Sequence, residues 1–150
     1  MNALEELSEE AGEVLEPNLQ FYRVNPEDKN RYLVGPEVLQ AIAWTATTIA
    51  VPLLMVGLSE VIKTYVKKWL EKKPEDKEAD ARKGLPPDVT ADVEQLLTDG
   101  STVPIEDAHL KAAVGAVEEF LSRRGWPKAF AAADAESIVL AVKQRLGKPS

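Results

Sequence analysis

The chain has no cysteine and only one histidine in its 150 residues. Without cysteine it can form neither a disulfide nor a thiolate metal site, and cysteine usage does not indicate its compartment. The histidine, His109, lies close to Asp107, as surface histidines often do, and the serines have no histidine partner in a recognisable triad order. A glycine-rich phosphate loop and a recurring metal-ligand spacing are also missing. The sequence therefore predicts a non-enzymatic protein without a catalytic residue, a cofactor or a bound metal.

Basic residues are missing from the first 22 positions, whereas six glutamates fall between positions 5 and 16. A cleavable signal peptide needs a basic start, so none is expected. The net charge of −7 argues against nucleic-acid binding. Apolar residues recur at helical spacing through positions 2–16 and predict an acidic amphipathic helix. So short a helix is marginal alone. Its apolar face needs a partner, which is the C-terminal region, a second copy or another protein.

The main apolar run of the chain is Val38–Leu58, VLQAIAWTATTIAVPLLMVGL, which contains no charged residue. As a helix it would be about 31 Å long, close to the thickness of a bilayer's hydrocarbon core, and it predicts a single transmembrane helix. Its threonines and Pro52 keep it only moderately apolar, so the core helix of a soluble bundle is the alternative. Pro52 removes a backbone hydrogen bond, and the hydroxyl of Thr48 is expected to satisfy the freed carbonyl. Trp44, Thr48 and Pro52 are the predicted membrane or interface residues of this run.

Five lysines follow within fifteen residues of the end of the run, with Tyr65 and Trp69 among them. The lysines are Lys63, Lys67, Lys68, Lys72 and Lys73. Amphipathic aromatics settle at a headgroup interface, so the helix is expected to continue into a basic juxtamembrane segment that ends before Pro74. A solvated helix end with lysines near its C-terminal dipole is the alternative. Because the heavier basic flank follows the span, the C-terminus is predicted to be cytoplasmic in a single-pass membrane protein.

These features predict an all-α chain in four segments. An acidic N-terminal helix and loop occupy 1–36, and the long central helix with its basic extension occupies 37–73. A charged linker bracketed by prolines covers 74–88 and precedes a small three-helix domain, 89–150. In that domain Gly125 is expected to end the second helix, and the third is expected to begin near Asp134. A unit of about sixty residues is marginal by itself, so self-association or docking of the N-terminal helix is expected to support it.

Two stretches resemble single-span phage holins with a soluble C-terminal helical region. The first is the span with its exit, LLMVGLSEVIKTYVKKWLEKK; the second is AVEEFLSRRGW followed by DAESIVLAVKQRLGK, which is similar to the closing helix pair of that family. The resemblance covers about two thirds of the chain, and residues 1–36 and the linker depart from it. It implies oligomerisation in the inner membrane and a lesion that releases a lytic enzyme.

Three functions follow from these observations. The first is a single-span membrane protein that self-assembles, and its most specific version is holin-like permeabilisation of the membrane. The second is a membrane-anchoring accessory subunit of a larger complex. The third is a soluble, all-helical interaction protein in which 38–58 is the core helix. The expected partners are accordingly the lipid bilayer and either further copies of the chain or a larger protein complex.

Overall fold

The structure, a computed structural model, describes residues 3–22, 36–98 and 105–147. Every regular element in these ranges is a helix, so the predicted all-α class is confirmed. The elements are α1 (Ala3–Leu15), a 3-10 helix (Glu16–Phe21), α2 (Pro36–Leu54), α3 (Glu60–Leu70), α4 (Pro74–Lys83), α5 (Pro87–Thr98), α6 (Asp107–Arg124) and α7 (Lys128–Gly147). The loop predicted between the acidic helix and α2 lies, from residue 23 to 35, outside the described residues.

The apolar run forms α2, which lies at the centre of the fold. Between Ile42 and Met55 every residue except Trp44 is buried. The helices in contact with α2 are α1, α3, α4, α6 and α7, and its largest interfaces are with α1 and α6. Within the described residues α2 is the one helix long and apolar enough to cross a membrane, with a mean hydropathy of 1.4 over Glu37–Leu54. Other helices bury 67% of that window.

Three buried threonines add polar atoms to α2 without requiring partners on other helices. Each donates its hydroxyl to the carbonyl four residues earlier, at 2.8 Å. The pairs are Thr45 with Ala41, Thr47 with Ala43, and Thr48 with Trp44. A buried hydroxyl left without a partner would cost about 1–3 kcal/mol, and these bonds avoid that cost. The expectation that the Thr48 hydroxyl satisfies the carbonyl freed by Pro52 is wrong. That carbonyl belongs to Thr48 itself, and the hydroxyl donates to the Trp44 carbonyl instead.

The predicted continuous helix from the apolar run to the lysines is also wrong, because α2 ends at Leu54 and α3 begins at Glu60. Ser59 is the N-cap of α3: its backbone is extended, and its hydroxyl accepts from the Ile62 amide at 3.4 Å. The same hydroxyl donates to the carboxylate of Asp92 on α5. The cap and this tertiary hydrogen bond stabilise a new helix start where a single helix was expected.

The acidic helix α1 packs against α2 and α7, so its partner is in the same chain. Its N-terminal turn is attached by polar contacts to two other helices. The carboxylate of Glu94 accepts from the amides of Ala3 and Leu4 at 3.0 and 3.1 Å, which places a negative charge at the helix N-terminus. Farther along α1, Glu6 forms an ion pair with Arg145 of α7. The apolar stripe of α1 is thereby held on the core.

The segment predicted as a linker contains α4, a helix of ten residues. Ala81 is buried, and the carbonyl of Arg82 accepts from the Trp44 indole N–H at 3.2 Å. Gly84 ends α4 with a φ of 94°, and a Cβ at this position would lie 3.2 Å from the Trp44 ring. A glycine therefore suits both the backbone turn and the close approach of the tryptophan. This contact attaches α4 to the N-terminal half of α2.

Three helices occupy the predicted C-terminal domain, and Gly125 ends α6 as expected, in the left-handed conformation. The third helix begins at Lys128 and not near Asp134. Asp134 is buried inside α7, where its carboxylate accepts from the Trp126 indole at 2.8 Å and from the Asn18 amide at 3.0 Å. This carboxylate joins the start of α7 to the 3-10 helix. The buried residues of all three helices belong to one hydrophobic core shared with α1 and α2.

Candidate functional site

A row of cations covers the outer side of α3 and the turn after it. We call this surface the basic α3 face; its members are Lys63, Lys67, Lys68, Lys72 and Lys73, and all are exposed. The opposite side of α3 is buried, and α3 packs mainly against α5. Among the described residues the one ion pair of this face is Lys72 with Asp80. The predicted lysine surface therefore exists and carries four cations without an ion-pair partner in the described ranges.

One of the two aromatic residues predicted to lie at a headgroup interface, Trp69, joins α3 to α4. Trp69 is only 6% exposed, and its indole N–H donates to the Lys77 carbonyl at 3.1 Å. The Lys77 ammonium lies 5.4 Å from the centre of the same ring, a cation–π contact. Tyr65 is half-buried in a neighbouring groove. Trp69 thus packs α3 against α4 in this fold, and its place at a headgroup interface stays a prediction.

The Tyr65 groove has a volume of about 390 Å³ and separates α3 from the segment that joins α4 to α5. Lys68, Lys72 and Lys83 line it together with Asp80. Burial, and secondarily the negative charge of Asp80, raise the pKa of Tyr65 to about 12. The phenol is therefore neutral at physiological pH. The positive charges of the groove are those of its three lysines.

This pKa predicts a loss of stability at alkaline pH. Between about pH 10 and about pH 12 the unfolded chain has lost the Tyr65 proton and the folded chain still keeps it. The unfolded state then binds fewer protons, so the free energy of unfolding falls as the pH rises; below about pH 10 the contribution is fully present. Denaturant titrations of wild type and Tyr65→Phe should show the steeper fall in wild type. Parallel pH profiles would contradict the assignment.

A second charged surface lies on α1. Glu9 and Glu13 of α1, and Glu16 at the start of the 3-10 helix that follows it, are exposed and succeed one another at helical spacing, so they share one side. With Glu5 they line a groove of about 500 Å³ between α1 and α2, which we call the acidic groove. Its apolar wall comes from the N-terminal half of α2. The α2 residues that line it are Leu39, Gln40, Ala43 and Trp44.

The predicted interface residues of α2 thus lie in two different environments. Trp44 is half-buried and lines the acidic groove, where a partner could reach its ring. Thr48 and Pro52 are buried in the core and face other helices of the same chain. Sequence reasoning missed the acidic groove because the helix that pairs with α1 could not be identified from periodicity alone.

His109 lies where α6 approaches the turn between α2 and α3. Its ring is half-buried, and Cε1 is 3.3 Å from the position that a Cβ on Gly57 would take. Ser59 lines the same pocket, and its hydroxyl hydrogen bonds to Asp92 and to the Ile62 amide. The hydroxyl proton is therefore directed at a carboxylate that holds α3 to α5. These contacts stabilise the turn.

Comparison with protein-family models, with curated proteins and with solved structures found no match to this chain. The resemblance to holins therefore stays a prediction. Three features of the described residues bear on function: a buried apolar helix, a basic face on α3 and an acidic groove beside α1.

Proposed function

We propose that this is a non-enzymatic, all-helical interaction protein in which α2 is the core helix and the basic α3 face binds a partner. The observation that carries the proposal is the burial of α2 between Ile42 and Met55 by five other helices. An apolar helix that is already covered by protein needs no lipid to remove it from water.

The cost of placing α2 in a bilayer supports this choice. Insertion would separate α2 from α1, whose buried leucines would then need a new apolar environment. Those leucines are Leu4, Leu7 and Leu15. Each buried leucine contributes about 1.5–3 kcal/mol relative to exposure to water. The glutamates on the other side of α1 would oppose its entry into the membrane together with α2.

The basic α3 face is exposed and therefore available to a partner. Its lysines point outward because Ile62, Val66 and Trp69 occupy the buried side of α3. A cationic surface steers the approach of an anionic partner and selects its orientation. The proposal therefore places binding on α3, where the sequence predicted contact with lipid headgroups.

A second candidate is a single-pass membrane protein with a cytoplasmic C-terminus that self-assembles, permeabilises the bilayer as holins do, or anchors a larger complex. One observation favours it: Glu37–Leu54 has the length and hydropathy of a membrane span. In this case the fold described here would have to open so that α2 exchanges its helical neighbours for lipid.

Fractionation without detergent distinguishes the two candidates. We expect the full-length chain to remain in the soluble fraction, and any membrane-associated protein to be released by a carbonate wash, because the one helix of the described residues that is apolar enough to insert is covered by other helices. A chain retained in the carbonate-resistant pellet would instead support the membrane span. Dye leakage from loaded liposomes would then separate permeabilisation from anchoring.

A further inference from the structure

We infer that the acidic groove of one copy of this protein binds the basic α3 face of a second copy. The inference rests on the proposed function, in which α3 is the binding surface, and it identifies the partner. Both surfaces are present on every chain, and they carry opposite charges. The contact would be heterologous, since two different surfaces meet.

The acidic groove has uncompensated charge beside an apolar wall. Glu9, Glu13 and Glu16 are exposed, and in the described ranges none of them forms an ion pair. Leu39 and Trp44 are only partly buried and line the groove opposite these carboxylates. A helix with cations along one edge and an apolar side chain next to them would meet both requirements.

The basic α3 face has this arrangement. Lys63 and Lys67 are four residues apart, as are Glu9 and Glu13, so both pairs rise by about 6 Å along their helices. Leu70 follows on the same side of α3 and is 51% exposed. An exposed leucine beside two lysines can reach the apolar wall of the acidic groove while the ammonium groups meet the carboxylates.

Within one chain, three described carboxylates of the acidic groove do not pair with the lysines of the basic α3 face. In the described parts of the structure, no ion pair joins Glu9, Glu13 or Glu16 to α3. The net charge of −7 makes two copies repel each other in most orientations, and the approach of α3 to α1 reverses the sign locally. A heterologous contact of this kind forms either a closed ring or an open chain of copies.

An anionic bilayer is the competing partner of the basic α3 face, and the charges favour a second copy. A bilayer would leave the acidic groove without a partner. Docking of a second copy neutralises both surfaces at once.

Sedimentation velocity of the full-length chain tests this contact. At low salt we expect a species larger than the 16.5 kDa monomer. Raising the ionic strength from about 0.01 M to about 1 M reduces the Debye length from about 30 Å to about 3 Å, so the complex should dissociate towards monomer. A wild-type chain that is monomeric at low salt would overturn the inference.

Charge reversal then tests the two surfaces. The groove variant is Glu9→Lys/Glu13→Lys, and the face variant is Lys63→Glu/Lys67→Glu. Each variant alone should associate at least about tenfold more weakly than wild type, because like charges now meet. An equimolar mixture should assemble again, since the unchanged basic face of the first variant meets the unchanged acidic groove of the second, and the two reversed surfaces also match.

A control with the same charge change as the face variant is Lys111→Glu/Lys128→Glu, at two exposed positions on other helices. It should assemble like wild type, and circular dichroism should show that all three variants keep their helices. Folded variants whose mixture stays monomeric would refute the contact. Binding of monomers to vesicles with anionic lipid would also refute it while leaving α3 a binding surface. A carbonate-resistant pellet, by contrast, would refute the proposed function itself.

Discussion

Leu54→Ala should lower the free energy of unfolding by about 2–5 kcal/mol, the range measured when a large buried side chain is truncated. Leu54 is 1% exposed at the end of α2, and its neighbours Leu53 and Met55 are buried as well. The truncation would remove apolar contacts and leave a cavity that the surrounding helices fill only in part. Since small domains are stable by only about 5–15 kcal/mol, this loss is a large share of the total.

Chemical denaturation of wild type and variant measures the effect, and the shift of the midpoint at constant slope gives the change in stability. Leu70→Ala is the matched control, because the same side chain is removed from a position that is 51% exposed. Its effect should stay below about 1 kcal/mol. If both variants lost equally little, Leu54 would not be a core residue, and a lipid-facing α2 would become the better explanation.

The central helix could be located from sequence, but its environment could not. The run from Val38 to Leu58 has no charge, and an uncharged helix is compatible with lipid and with protein on all sides. The internal hydrogen bonds of its threonines suit both environments, because they need nothing from outside the helix. Only the packing of α1, α6 and the shorter helices around α2 distinguishes the fold described here, and these are long-range contacts.

The helix α4 was missed even though local signals for it are present. Its high charge suggested a solvated linker, yet PEDKEADARK consists largely of good helix formers. Pro74 begins it, acidic residues fill its first turn, basic residues fill its last turn, and Gly84 follows. Net polarity indicates a solvated linker, whereas the order of the residues indicates a helix, and order is the better indicator for a short surface helix.

The two charged surfaces differ in how far sequence could predict them. The spacing of apolar residues in α3 placed the lysines on its outer side, and the structure confirms that face. The acidic groove depends on which helix lies beside α1, and an apolar stripe does not specify its partner. For the same reason the roles of Trp44 and Trp69 could not be separated: one lines a groove and the other packs α3 against α4.

Residues 86–150, which contain the three helices predicted as a C-terminal domain, should not fold cooperatively as an isolated fragment. The buried side of α6 faces both α2 and α7, and α7 also packs against α1 and α2. Without residues 1–85, buried side chains such as Val117, Leu121 and Val142 would lose part of their apolar surroundings. A chain of about sixty residues buries only about 60% of the surface that it exposes when unfolded, so this loss is large for it.

Circular dichroism with thermal melting compares the fragment with the full-length chain. We expect weak helicity and a broad, non-cooperative melt for the fragment, against a single sharp transition for the full chain. Adding a second fragment, residues 1–85, should restore helicity, because it supplies α1 and α2 as the missing side of the shared core. A fragment that melted sharply on its own would show instead that α5, α6 and α7 close a core among themselves, with α1 and α2 attached to a domain that is already stable.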